Sequence, residues 1–169
     1  MLIIFSGLPA TGKTTLAREL VRRTGGIHLR VDSIEQAIRE TGHLNGEEGY
    51  RVACAVAADN LRLGCTVIAD SANLLQETRD AWVKVAKVES KPFLEIEVQC
   101  SEMREHQRRI ETRITDVPGL RLPTWQEVRA REHHPWDREH LVIDTASYGV
   151  AESVDRICEA LDALTHLGC

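Results

Sequence analysis

An α/β architecture, with five parallel strands, helices on both faces of the sheet and a small helical lid, is predicted by three observations in this 169-residue sequence. Short apolar runs alternate with amphipathic helical patterns along nearly the whole chain, as in successive βαβ units. The first run, Leu2 to Phe5, leads into Gly7 to Thr14, which read G-L-P-A-T-G-K-T and complete a G-x-x-x-x-G-K-[ST] phosphate loop. Three later runs each end in a carboxylate, at Asp32, Asp70 and Asp144. Ligands of parallel sheets bind at the carboxyl ends of the strands, so loop and carboxylates are expected along one edge. The fold class is thus that of a P-loop NTPase.

The elements follow in order. Leu2 to Phe5 reads as a buried strand, and Leu16, Leu20 and Val21 recur at helical spacing from Lys13, which sets a helix dipole behind the loop. Ile27 to Val31 is rich in β-formers and gives a second strand ending at Asp32; Ser33 and Gln36 then match a capping box before a short helix through Ile38. Beyond the loop Gly42 to Gly49, Ala53, Val56, Ala57, Asn60 and Leu61 share the helix face expected to pack on the sheet. Cys65 to Ala69 is apolar enough to be buried on both sides. Thr78, Trp82, Val85 and Ala86 mark the next helical stripe, and Phe93 to Cys100 alternates around Leu94, Ile96 and Val98, so one face of that strand is expected to be less buried. Leu141 to Ile143 is the fifth strand, and Val150, Val154, Ile157, Cys158, Leu161 and Leu164 define an amphipathic last helix.

Length fits one domain over residues 1–169, with the lid at about 101–132. The net charge of −5 argues against a surface that wraps long nucleic acid, although a 5′-end needs only a local basic pocket. No apolar stretch approaches a membrane span and the start lacks a signal-peptide pattern, so a cytoplasmic location is expected. Five cysteines without a C-x-x-C pair predict reduced, mostly buried thiols, and the adjacent His133 and His134 do not have metal-ligand spacing.

The chemistry starts from the loop. Gly7 and Gly12 let the backbone of Leu8, Pro9, Ala10 and Thr11 turn its N–H groups inward, with Thr15 in the first helical turn; Lys13 reaches the β- and γ-phosphates of ATP and Thr14 reaches Mg²⁺. Asp70 suits a second metal contact opposite Thr14, and it also suits a cap for the turn that follows; the loop's demand for a metal partner favours the first. Asp32 suits a general base toward an acceptor hydroxyl, or a helix cap, a role that Ser33 and Gln36 already fill. Arg104, Arg108, Arg109 and Arg113 precede the Asp116-Val117-Pro118-Gly119 turn; one to three of them are expected to meet phosphate and the rest to make surface pairs such as Glu105 with Arg109. Pro123, Thr124 and Glu127 form a second capping box. Trp136 and Tyr148 are either adenine-stacking rings or core residues. His43, Asn45 and Tyr50 are candidate selectors of the acceptor, or plain surface residues.

The ordered blocks G-L-P-A-T-G-K-T-T, H-L-R-V-D-S-I-E-Q-A-I, T-V-I-A-D-S-A-N, C-S-E-M-R-E-H-Q-R-R-I-E-T-R and L-V-I-D-T resemble the small bacterial P-loop kinases grouped with AAA-family ATPases. That group is similar to polynucleotide kinases, zeta toxins, chloramphenicol phosphotransferases and adenylylsulfate kinases. The resemblance implies a nucleoside-kinase-like fold, Asp32 as base, phosphate contacts from Arg108, Arg109 and Arg113, and a nucleotide-base contact near Asp144 and Thr145. It does not imply an acceptor, because the relatives phosphorylate polynucleotide 5′-hydroxyls, amino-sugar nucleotides, an antibiotic and a sulfate nucleotide. The expected function is Mg²⁺- and ATP-dependent transfer to a hydroxyl of a small molecule or 5′-end. The alternative is a nucleotide-driven switch without an acceptor; an N-K-x-D guanine signature is absent from the sequence.

Overall fold

The computed structural model describes residues 1–42 and 46–166, so His43 and Asn45 lie outside the described residues. Five strands, β1 (Leu2–Ser6), β2 (Ile27–Arg30), β3 (Val67–Asp70), β4 (Phe93–Gln99) and β5 (Leu141–Asp144), form one parallel sheet in the order β2-β3-β1-β4-β5. Ile4 lies opposite Ala69 of β3 and opposite Glu95 of β4, which puts β1 at the centre. Strands added after β1 go first to one side of it and then to the other, so the order reverses at its carboxyl end, where the phosphate loop begins.

Alternation along β1 supplies both layers. Leu2 and Ile4 face Ala53, Ala57 and Leu61 of α3 (Glu48–Arg62) and Trp82, Val83 and Ala86 of α4 (Gln76–Val88). Ile3 and Phe5 face Leu16, Ala17 and Leu20 of α1 (Lys13–Thr24) and Val154, Ile157 and Leu161 of α7 (Val150–His166). All four strand side chains have no exposed surface, and burial of each is worth about 1.5–3 kcal/mol. That burial anchors the base of the phosphate loop.

Several boundaries differ from expectation. β2 ends at Arg30 and runs without a loop into α2 (Val31–Glu40), because Val31 is itself buried in the core and Arg30, still extended, serves as N-cap. Asp32 is therefore a first-turn residue of α2, and the Ser33–Gln36 capping box does not form. In α4 the buried stripe includes Arg79, which is fully buried; its guanidinium donates to the carbonyls of Leu74 (3.0 Å) and Pro135 (2.9 Å). The polar face of β4 is not less buried, since Glu95 takes two hydrogen bonds from Arg138 and Glu97 lies beneath His140. Of the four described cysteines only Cys100 is buried; Cys54, Cys65 and Cys158 are half-buried, and all four are free thiols.

The turn after β3 is locked by Asn73, fully buried with φ at 48°. Its Nδ2 donates to the Phe5 carbonyl at 2.7 Å, its Oδ1 accepts from Trp82 Nε1 at 3.2 Å, and its backbone N–H donates to the Tyr50 hydroxyl at 3.3 Å. Asn73→Ala strands a buried carbonyl and an indole N–H in a left-handed turn, so a loss of about 2–4 kcal/mol is expected. Denaturant titration measures it; a loss below about 1 kcal/mol would show the turn to be held by other contacts.

Candidate active site

The phosphate loop runs from the end of β1 to α1. Gly7 has φ at 134°, and a Cβ there would meet the Val98 carbonyl at 2.2 Å, so only glycine fits beside β4. Gly12, with φ at 106°, is the N-cap of α1, and the Thr145 methyl packs against it. The Lys13 ammonium is buried and donates to the carbonyls of Gly7 (2.8 Å) and Leu8 (2.7 Å). Burial pushes it down to about 8 from an ordinary 10.5, although the charges of Asp70 and Asp32 act to raise it.

Asp70 is 3% exposed, at the end of β3, and its Oδ2 lies 3.1 Å from His28 Nε2. Burial acts to raise its carboxyl, but the His28 ring, the Lys13 charge and the Thr14 side chain more than offset this and hold it below the usual carboxylate range. The side chains of Asp70 and Thr14 are thus in hydrogen-bond contact at the carboxyl edge of the sheet. An ionised carboxylate and a hydroxyl are the hard oxygen donors that Mg²⁺ takes.

A cleft of about 950 Å³ opens above this edge. Pro9, Ala10, Gly12, Lys13, Thr14 and Thr15 line it at one end. Asp32, half exposed, lines it from α2, with its Oδ2 3.9 Å from Arg30 Nη2. Glu35 lines the cleft one turn further along α2; burial and the Asp32 charge raise its carboxyl. Tyr50 and Ser71 also line it. Burial pushes the Tyr50 phenol up to about 12, so the ring is a neutral wall at physiological pH.

The lid comprises α5 (Met103–Thr112), a loop and the short α6 (Trp125–Arg129), which starts at the expected Thr124–Glu127 capping box. Its arginines divide. Arg108 makes two 2.7 Å hydrogen bonds with Glu105 and does not line the cleft, and Arg104 is exposed away from it. Arg109 lines the cleft but also donates to the Thr145 hydroxyl at 2.8 Å and carbonyl at 3.0 Å. The Thr145 hydroxyl in turn donates to the Thr11 carbonyl at 2.7 Å. Arg113 lines the cleft, and its charge acts on Lys13.

Asp144 lies outside the cleft. It accepts from Ser101, Ala146 and Ser147, which hold it to about 2 against the effect of burial, and so fixes the turn whose next residue, Thr145, lines the cleft. Trp136 is also remote, stacked 3.9 Å from His140 under the Arg79 guanidinium. Tyr148 does line the cleft, with Arg156 over one ring face at 3.9 Å.

Three contacts are not evident in the sequence. His106 is buried edge-on to Trp125, and its Nε2–H donates to the Pro9 carbonyl at 2.8 Å, so α5 holds the phosphate loop through His106 and Arg109 together. Asp116 of the lid loop accepts from Arg18 of α1 and, at 2.8 Å, from the buried Arg30. These arginines keep its carboxyl well below the usual range, so the bridge is intact at neutral pH. Asp116→Asn should loosen the loop by about 1 kcal/mol, seen as several-fold faster amide exchange over 113–120. Unchanged exchange would assign the loop's position to its own packing.

Residues 2–133 match the family described as an AAA domain. The APS kinase of Mycobacterium tuberculosis in complex with AMPPNP and APS superposes with a TM-score of 0.75 at 17% identity, covering 95% of this chain and 96% of that one. Kti12 of Chaetomium thermophilum with ADP-AlF3 gives 0.69 at 22% identity over 95% and 98% of the two chains. A gluconokinase from Sinorhizobium meliloti 1021 gives 0.63 at 16% identity over 98% and 91%. No curated protein matches the sequence. No helix among the described residues is long and apolar enough to cross a membrane. The match over most of the chain and the parallel sheet with its lidded phosphate loop agree, and the protein belongs to the AAA-domain family, with the fold of the P-loop kinases.

Proposed function

We propose that the protein is a kinase that moves the γ-phosphoryl group of ATP to a hydroxyl of a small molecule or a 5′-end. The observation that carries this reading is Asp32, a carboxylate on the first turn of α2 that lines the same cleft as Lys13 and Thr14. A protein that only binds nucleotide has no use for a base at that place.

In the reaction Asp32 accepts the proton of the acceptor hydroxyl, whose oxygen forms the new bond to the γ-phosphorus. The bond from that phosphorus to the β–γ bridging oxygen breaks and ADP leaves. Lys13 and Arg113 hold the charge that spreads over the transferring oxygens, and Arg109 supports the loop through Thr145. Thr14 and Asp70 would hold Mg²⁺, which supplies charge neutralisation and orientation of the phosphates when bound. The nucleotide-bound relatives support ATP as donor.

The test is ADP formation from Mg·ATP by wild type and Asp32→Asn with pooled oligonucleotide 5′-hydroxyls, nucleosides, sugars, aminoglycosides and chloramphenicol. A pool that accelerates wild type and not the variant supports the kinase reading. Slow hydrolysis that no pool changes and that survives Asp32→Asn favours the switch.

A further inference from the structure

We infer that the acceptor carries, besides its reacting hydroxyl, a phosphate group held by Arg39 and Arg131; this rests on the kinase reading above.

The cleft is far more basic than the chain. Lys13 and seven arginines line it, against Asp32, Glu35 and Asp116. Most of these cations have an evident task. Lys13, Arg109 and Arg113 border the phosphate loop, Arg18 and Arg30 share Asp116, and Arg121 pairs with Glu127. Two are left. Arg39 donates to the Gln36 amide oxygen at 2.6 Å and forms no ion pair among the described residues. The Arg131 guanidinium has no hydrogen bond or ion pair among the described residues.

Their positions fit one ligand. Asp32, Glu35 and Arg39 lie on one stripe of α2, at i, i+3 and i+7, and all line the cleft. At 1.5 Å of rise per residue, Arg39 stands on the order of 10 Å along the axis beyond Asp32. Arg131 approaches from the lid side, after α6, and its charge acts on both Lys13 and Glu35, while that of Arg39 acts on Glu35. Glu35 is the cleft-lining carboxylate on which both arginine charges act, yet it is ion-paired to neither, with burial favouring its neutral form; Glu40, outside the cleft lining, instead accepts from the Gln36 amide that also binds Arg39. A hydroxyl presented to Asp32 thus leaves the rest of the acceptor running along α2 toward two unmatched guanidiniums. Forked guanidiniums suit the oxygens of a phosphate monoester, and both line one cleft with Glu35 under the charge of each.

Calorimetric titration with inorganic phosphate tests this on wild type, Arg39→Gln and Arg131→Gln, with the donor site filled by Mg·AMPPNP. Saturable 1:1 binding in wild type, weakened at least fivefold by each substitution, is expected. Absent binding, or binding that neither substitution changes, overturns the inference. Matched acceptors give the second readout: a nucleoside against its 3′-monophosphate, and a hexose against its 6-phosphate and its sugar acid. The phosphate should win by at least tenfold in kcat/KM, and each substitution should erase most of that gain through KM. Equal use of the neutral member, or preference for the sugar acid, overturns it. Failure of the kinase reading looks different: AMPPNP does not bind, or no acceptor stimulates ADP formation, while the phosphate titration still reads Arg39 and Arg131 on the unliganded protein.

Discussion

Lys13→Ala is expected to weaken Mg·ATP binding by about 30-fold or more, without lowering the melting temperature of the empty protein. The first effect follows from removing one partner of a buried, charge-assisted contact to phosphate, which costs about 2–5 kcal/mol. The second follows from burial: an ammonium held at about 8 instead of 10.5 costs the folded state roughly 3 kcal/mol at neutral pH. That cost offsets what alanine loses in packing and in the two carbonyl hydrogen bonds. Because the folded-state value is the lower one, the penalty is present in full below about pH 8 and fades toward 10.5. Wild type should therefore gain stability relative to Lys13→Ala across that window, while its nucleotide affinity falls. Melting curves at several pH values and calorimetry with Mg·ATP measure both. Full ATP affinity in Lys13→Ala would remove the phosphate-loop reading altogether.

Asp32→Asn is expected to do the opposite. The side chain is half exposed and its nearest cation, Arg30, is 3.9 Å away, so loss of its charge should change stability by less than about 0.5 kcal/mol. Nucleotide affinity should change by about twofold at most. Phosphoryl transfer should fall by about 10²–10⁴-fold, the range for a positioned general base. Single-turnover transfer and equilibrium binding separate the two quantities. Parallel loss of affinity and rate would instead make Asp32 a support for the first turn of α2.

Much of the fold was legible because its signals are local. The phosphate loop demands glycine where φ is 134° and 106°, and the alternating runs mark five strands of a parallel sheet, although not their order β2-β3-β1-β4-β5. What was misread depends on contacts distant in sequence. Ser33 and Gln36 had the right spacing for a cap, but burial of Val31 starts α2 earlier. Glu95 and Glu97 looked solvent-facing until Arg138 and His140, some 43 residues later, covered them. The arginines of α5 could not be sorted because Arg108 and Arg109 share Glu105, and only the helix's orientation turns Arg109 toward Thr145. Asp116, read as part of a turn, gains its role from Arg18 and Arg30, which no spacing connects to it.

The uneven distribution of charge also has kinetic weight. With eight cationic side chains and three carboxylates in the cleft of a chain with net charge −5, the remaining surface carries about −10. An approaching anion is repelled over most orientations and drawn in only at the mouth, so the molecule acts as an electrostatic funnel. Small anions that fit within roughly one Debye length, about 8 Å at physiological salt, escape the outer repulsion once inside, whereas a long polyanion cannot. Association of Mg-free ATP should accordingly slow as salt rises, even though protein and ligand carry net charge of the same sign.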